Sequence, residues 1–268
     1  MNAPVFLKDR AFCYNRTMKN LIFNPYIAQH KPSNKDECPF CLKDNLGAML
    51  GTKEDILWLE NKYPTMKNAY QTLIIESDHH LGDVSNYDLD HLKKLFHYAL
   101  EKWHEMEKDP RFKSVIFFKN FGPMSGGSLR HPHMQIVGLE EIDAYEKLEK
   151  RYFQGLTVLH QTKNHAELNL SLDPISGYTE FNLISSNIDH LAVAIQEVTA
   201  FLLEAYFSGK CDSYNLFFYH FEQTYVCKVL PRFVTSPYFL GYMIAQRHNL
   251  EHLNELKQDF IEFRKNRS

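Results

Sequence analysis

Two histidines and a glutamine at alternate positions, His131-Pro132-His133-Met134-Gln135, follow the small, flexible run Ser125-Gly126-Gly127-Ser128. If 130–138 runs as a strand, alternate side chains share a face, so His131, His133 and Gln135 point the same way. Gly and Ser upstream let backbone N–H groups approach an anion closely. Imidazoles, an amide and exposed backbone donors together suit attack on a phosphate. With 14 His in 268 residues, chance alone supplies roughly 0.7 His-x-His pairs, so the pair is weak evidence until the glutamine and the loop are added. The bland alternatives are a satisfied polar patch and a bare metal clip.

A second constellation is Cys38-Pro39-Phe40-Cys41. Its two-residue separation lets two thiolates bind one Zn²⁺. The chain holds no second Cys-x-x-Cys, so histidines must complete such a site, with His79 or His80 and His131 as candidates. Four protein ligands leave no open position, which makes the metal structural and leaves His133 for chemistry. Two ordinary thiols beside a turn-forming proline, or a redox pair, are the competing readings. No thioredoxin-like pattern surrounds the cysteines to favour the last.

The elements that must position these residues are legible in outline. Leu73-Ile74-Ile75-Glu76 reads as a strand ending at Ser77-Asp78-His79-His80. A helix is expected from Ser85 or Asn86 to Glu107, with Leu89, Leu92, Phe96, Ala99, Trp103 and Met106 on one face. Asp109-Pro110 stops it. Val115 to Lys119 is a strand leading to the Gly-rich loop. The order then recurs: a helix over 188–207 capped by Gly209, strands over 214–219 and 225–230, and a last helix over 250–265. Helix, strand, strand at 85–138 and 187–231 suggests two related halves, 1–150 and 151–268, with the chemistry kept in the first. Residues 30–54 read as an irregular polar segment.

Composition sets the outer bounds. Hydrophobic content of 44% and charged content of 24% are those of an ordinary globular protein. A net charge of −3 gives no general basic surface, so nucleic acid is not an expected partner. Twenty Phe and fifteen Tyr favour sheets with helices packed on them. Met1 to Phe12 carries Lys8, Asp9 and Arg10 and lacks a signal-peptide core, and no run reaches the ~20 apolar residues of a membrane helix. The expectation is a cytoplasmic protein with no membrane partner, whose five cysteines (13, 38, 41, 211, 227) stay as thiols or metal ligands.

These motifs, in this order, resemble the galactose-1-phosphate uridylyltransferase branch of the histidine-triad superfamily. The matching pieces are Phe23-Asn24-Pro25, the two cysteines, Glu60-Asn61-Lys62-Tyr63-Pro64, Glu76 to His80, Phe118-Lys119-Asn120-Phe121-Gly122 and Gly126 to Ile136. Val229-Leu230-Pro231-Arg232 and Phe239-Leu240-Gly241-Tyr242 match the family's late segments more loosely. The chain departs from the pattern at Met243, where a glutamate is common, and at Tyr238-Phe239, where Lys-Phe is expected.

The resemblance implies an α+β fold of two histidine-triad-like halves, an antiparallel sheet with packed helices. It implies ping-pong nucleotidyl transfer, in which His133 attacks a nucleoside diphosphate sugar or related diphosphate and carries the nucleotide covalently. His133 must be neutral to attack, so activity should fail below the ordinary imidazole pKa of about 6.5. Gln135 would donate to a phosphate oxygen, backbone groups of Ser125, Gly126, Gly127 and Ser128 would steady charge, and Asn61 and Asn120 would contact substrate. The zinc ligands it implies are Cys38, Cys41, His80 and His131. A homodimer is implied as well, with the aromatic strand 214–219 as either dimer surface or core. Two alternatives share the first half-reaction or the binding step. One is a hydrolase or phosphorylase of a dinucleoside polyphosphate or ADP-sugar. The other is a nucleotide-binding sensor without turnover.

Overall fold

The computed structural model describes residues 20–30, 38–43, 46–176, 178–242, 244 and 246–267. The N-terminal leader reading, Cys13 and Met243 lie outside the described residues. Helices α1 (Pro25–His30) and α2 (Pro39–Leu42) lead into strands β1 (Met49–Lys53), β2 (Ile56–Glu60) and β3 (Ala69–Ile75). Helix α3 (Leu89–Glu107) and strands β4 (Ser114–Phe121) and β5 (His133–Leu139) complete the first half. The second half repeats the order with β6 (Gly155–Leu159), β7 (Glu167–Ser171), β8 (Phe181–Ser185), α4 (Ile188–Glu204), β9 (Tyr214–Phe221) and β10 (Thr224–Pro231). Two helices follow, α5 (Pro237–Tyr242) and α6 (Leu250–Arg267).

The ten strands of the described residues join one antiparallel sheet in the order β1-β2-β3-β5-β4-β9-β10-β8-β7-β6. The order reads the same from either edge once each strand is exchanged for its counterpart. The halves therefore meet as a pseudo-twofold pair at β4 and β9. Phe117 and Phe218 are cross-strand partners there, with rings stacked 4.2 Å apart. This is the α+β, two-half architecture the sequence leads one to expect.

Period-two alternation sorts the central strands into two faces. Val115, Phe117, Met134, Ile136, Tyr214, Leu216 and Phe218 are buried in the main core with Trp103 and Phe96 of α3 and Ile195 and Phe201 of α4. Trp103 anchors α3 further by donating its indole N–H to the Val115 carbonyl at 3.0 Å. The aromatic strand β9 is thus central in the sheet and half core. Its other face, with Phe217 and Tyr219, is only partly buried. On that opposite face, over the first half, a smaller core of Phe40, Leu59, Leu73 and Ile75 is covered by the cysteine-bearing segment.

Several boundaries differ from the sequence reading. Helix α3 starts at Leu89, because the Asp88 carboxylate caps it by accepting from His91 N at 2.9 Å. That leaves 76–88 as a loop. Strand β5 starts at His133 and not at residue 130, so His131 belongs to the preceding loop and does not share a strand face with His133. Helix α4 ends at Glu204 rather than 207, and Gly209 (φ +72°) sits in the turn that follows. Strand β1 lies inside the stretch read as irregular. Strands β2, β6, β7 and β8 carried no sequence expectation.

The two halves differ most in their connections. Between β3 and α3 the first half has residues 76–88, and between β8 and α4 the second has only 186–187. Between β4 and β5 it has 122–132, against 222–223 between β9 and β10. Both long loops lie at the same end of the sheet. They carry the histidines.

Candidate active site and metal cluster

The loop 76–88 brings His80, and the loop 122–132 brings His131, to the one-turn helix α2. Pro39 at its first position and Cys38 at its N-cap turn both thiols to one side. Cys41 Sγ lies 3.4 Å from Nδ1 of both His80 and His131, and Cys38 Sγ 3.7 Å from His131 Nδ1. All four ligand atoms fall within 4.8 Å of one another. Tetrahedral S–Zn–N geometry places such donors about 3.5 Å apart, so the set fits a metal of zinc's size and preference. His79 is not part of the cluster; its backbone N–H donates to Ser77 Oγ.

A backbone carbonyl fixes the tautomer of His131. His131 Nε2–H donates to the Ser77 carbonyl at 2.9 Å, which leaves the Nδ1 lone pair directed at the thiols. Burial holds the His131 pKa below its ordinary value, so the ring stays neutral, as a ligand must. Cys41 moves the other way: burial, the hydrogen bond with Cys38 and the charge of Cys38 raise its pKa. A cation between the thiols would relieve that crowding.

His133 opens β5 on the face away from the long helices. Its Nδ1–H donates to the His131 carbonyl at 2.9 Å, which puts the neutral ring's lone pair on Nε2. It lines a cleft of about 840 Å³ together with Gln135, Asn61, Asn120 and the Gly126–Ser128 loop. Phe40, carried between the two cysteines, forms one wall and meets His133 edge-on, ring centroids 5.5 Å apart. The sequence-derived substrate residues are therefore gathered around one imidazole.

Ser125 is the exception. Its hydroxyl donates to the Gly122 carbonyl at 2.7 Å and accepts from Gly127 N–H at 3.3 Å. Its own N–H bonds to Gly122 O. The amides of Ser125 and Gly127 are thus engaged inside the loop, and Ser125 shapes the turn. Gly122 and Gly126 hold φ of +84° and +87°, a region that suits glycine.

Asn215 is a site residue that the sequence reading did not single out. It sits opposite Asn120 across the β4–β9 pairing and donates Nδ2–H to Asn120 Oδ1 at 2.7 Å and to Ser125 O at 3.0 Å. A second-half strand thus fixes both the loop and its neighbouring amide. Beneath the loops lies a buried ionic network, in which Lys119 pairs with Glu76 and Asp83, and Tyr214 donates to Asp83. Burial raises the Glu76 pKa despite the lysine.

This fold is found in known proteins. The structure is similar to an ADP-glucose phosphorylase from Arabidopsis thaliana, with a TM-score of 0.66 and 13% identity over 89% of this chain and 93% of that one. A galactose-1-phosphate uridylyltransferase from Thermotoga maritima is 24% identical over an alignment of 145 residues, and the match covers 46% of this chain and 44% of that protein. The match therefore spans less than half the length of that relative. Fold and motifs together are similar, at a distance, to those of galactose-1-phosphate uridylyltransferase-like proteins.

The chain belongs to the family described as domain of unknown function DUF4931, whose N-terminal domain matches residues 23–142 and whose C-terminal domain matches 145–262. A DUF4931 protein of Bacillus cereus is 40% identical, with a TM-score of 0.71, covering 80% of this chain and 98% of that one. Among the described residues, no helix is long and apolar enough to cross a membrane.

Proposed function

We propose that the protein is a nucleotidyltransferase that works by ping-pong through a nucleotidyl-histidine on His133. The observation that carries this reading is the 2.9 Å bond from His133 Nδ1–H to the His131 carbonyl. It leaves Nε2 as the nucleophile on the wall of a cleft large enough for a nucleotide-sugar. In the first step an Nε2–P bond forms at the α-phosphorus and the bond to the leaving phosphate oxygen breaks. The ring then carries positive charge, which the Nδ1–H shares with the carbonyl. In the second step an acceptor oxygen displaces His133 and takes the nucleotide. Gln135 and Asn120 supply amide donors for phosphate oxygens, and Asn61, just after β2, lines the same cleft.

Cys38, Cys41, His80 and His131 would hold a structural zinc. Its effect on chemistry is indirect, through the backbone of His131 and the ring of Phe40. The donor class is a nucleoside diphosphate sugar, supported by the names of the T. maritima and A. thaliana relatives.

The test is intact-mass spectrometry of the native protein after incubation with UDP-, ADP- and GDP-sugars, beside His133→Ala. A gain of one nucleoside monophosphate, absent from the variant, supports the covalent route and identifies the base. Adding a sugar phosphate, inorganic phosphate or neither to the isolated adduct then separates transferase, phosphorylase and hydrolase. Binding of every donor with neither adduct nor released nucleotide would sink the enzyme reading in favour of a sensor.

A further inference from the structure

The far end of α3 holds a second set of metal-ligand side chains that the histidine motif does not involve. His104 and Glu107, three residues apart in the last turn, meet His220 near the end of β9, across 113 residues of sequence. His104 Nδ1 lies 2.8 Å from Glu107 Oε2, and His220 Nε2 lies 2.8 Å from Glu107 Oε1. The three ligand atoms fall within 4.8 Å of one another. The geometry points to a second metal site, in which His104 Nδ1, the Glu107 carboxylate and His220 Nε2 bind one divalent transition ion without any thiolate.

Donors on adjacent corners of an octahedron about 2.1 Å from an ion are about 3 Å apart, so the observed spacing needs little change to admit one. The supporting shell is built. His104 Nε2 lies 2.8 Å from the Tyr225 hydroxyl, and Tyr225 is the cross-strand partner of His220. With Nδ1 on a metal, Nε2–H donates to that hydroxyl and fixes the ring, the usual arrangement for a ligating histidine. Burial raises the Glu107 pKa, but hydrogen bonds from His220 and His104 outweigh it and hold the carboxyl below its ordinary range. It is therefore an ionised ligand at neutral pH.

The trio is reachable, with side chains 23–34% exposed. Glu107 and His220 also line a cavity of about 400 Å³ beside Tyr145 and Phe112. Three protein ligands leave coordination positions open toward that space, unlike the closed Cys₂His₂ cluster. Imidazole and carboxylate donors select zinc, iron(II), cobalt(II) or manganese(II) over softer ions. Helix α3 spans about 28 Å, which separates this site from the loop that bears His80. Bound metal would clamp a first-half helix to a second-half strand.

The experiment is metal analysis of full-length protein equilibrated with Zn²⁺, for the wild type, Glu107→Gln, His220→Gln and Cys41→Ser. Wild type should hold about two equivalents, and Glu107→Gln and His220→Gln should each hold about one while Cys41→Ser loses the other. Tyr225→Phe should keep the ion with affinity weakened roughly 10- to 100-fold. A content that only Cys41→Ser lowers, unchanged in Glu107→Gln and His220→Gln, overturns the proposal. Because a variant can fail to fold, Co²⁺-substituted wild type supplies an independent reading. Two classes of bands are expected, one with thiolate charge transfer and one without, and absence of the thiolate-free class overturns the site.

Discussion

The carbonyl oxygen of His131 accepts Nδ1–H of His133 at 2.9 Å, while the ring of His131 turns the other way to the cysteines. One residue therefore offers its side chain to the Cys/His cluster and its backbone to the proposed nucleophile. Pro132 between them fixes φ and stiffens this link. The cluster and the His133 ring are thus joined through a single residue.

This coupling predicts the effect of breaking the cluster at a distance from the cleft. Cys41→Ser should lose the bound metal and lower the thermal midpoint. It should also slow formation of the His133 adduct at least 10-fold, since a small misplacement of a nucleophile has that scale of cost. Metal analysis, calorimetry and adduct kinetics check it. Loss of metal with an unchanged adduct rate would show that the cluster does not position His133.

The loop glycines predict a graded pair. A Cβ on Gly122 would stand 2.2 Å from the Asp212 carbonyl, on a backbone with φ +84°. Gly122→Ala should cost roughly 3 kcal/mol or more, because strain and clash add. Gly126 has φ +87° but open space around it, so Gly126→Ala should cost about 1 kcal/mol. Urea unfolding of the two variants measures the difference.

Asn215 should act as a positioning residue. Asn215→Ala removes both bonds to Asn120 Oδ1 and Ser125 O and leaves two acceptors without this donor. A stability loss of about 1–3 kcal/mol is expected. The adduct rate should fall while donor affinity changes less, which pre-steady-state kinetics separates from simple unfolding.

Acid should loosen the C-terminal helix through Glu197. Burial raises its pKa, but hydrogen bonds from His165 and Arg264, with the charge of Arg264, bring it below 4.5 overall. Arg264 lies on α6 and Glu197 on α4, so the carboxylate ties the two helices. A depressed folded pKa means the stabilisation is present above 4.5, the unfolded value, and is lost as pH falls through the folded pKa. Denaturation between pH 3 and pH 6 should therefore show a slope that Glu197→Gln flattens. Parallel profiles for the two proteins would refute it.

Much of the site was readable because its parts are local. The two-residue cysteine spacing and the His133-x-Gln135 alternation each bring their atoms together within one short segment. Pro39 announces the turn between the cysteines, and Gly126 and Gly127 the one before the histidines. The helix starts were less legible, since Ser85, Asn86 and Asp88 are all competent caps and only the path of 76–88 selects the third. Strands β6 to β8 escaped notice because short apolar runs look alike whether they become strand or helix.

The chemistry available is written in the residues: thiolates and imidazoles spaced for a metal, a second histidine beside a phosphate-sized loop, and a repeated helix–strand–strand order. Tertiary structure decided what no spacing encodes. It selected His80 over His79, removed His131 from the strand, turned Ser125 inward, and brought Asn215 to Asn120 and His220 to Glu107. Those contacts join residues 39 to 113 positions apart. Their approach is set by sheet register and by the pseudo-twofold meeting of β4 with β9. Register is a property of paired strands, and neither strand carries it alone.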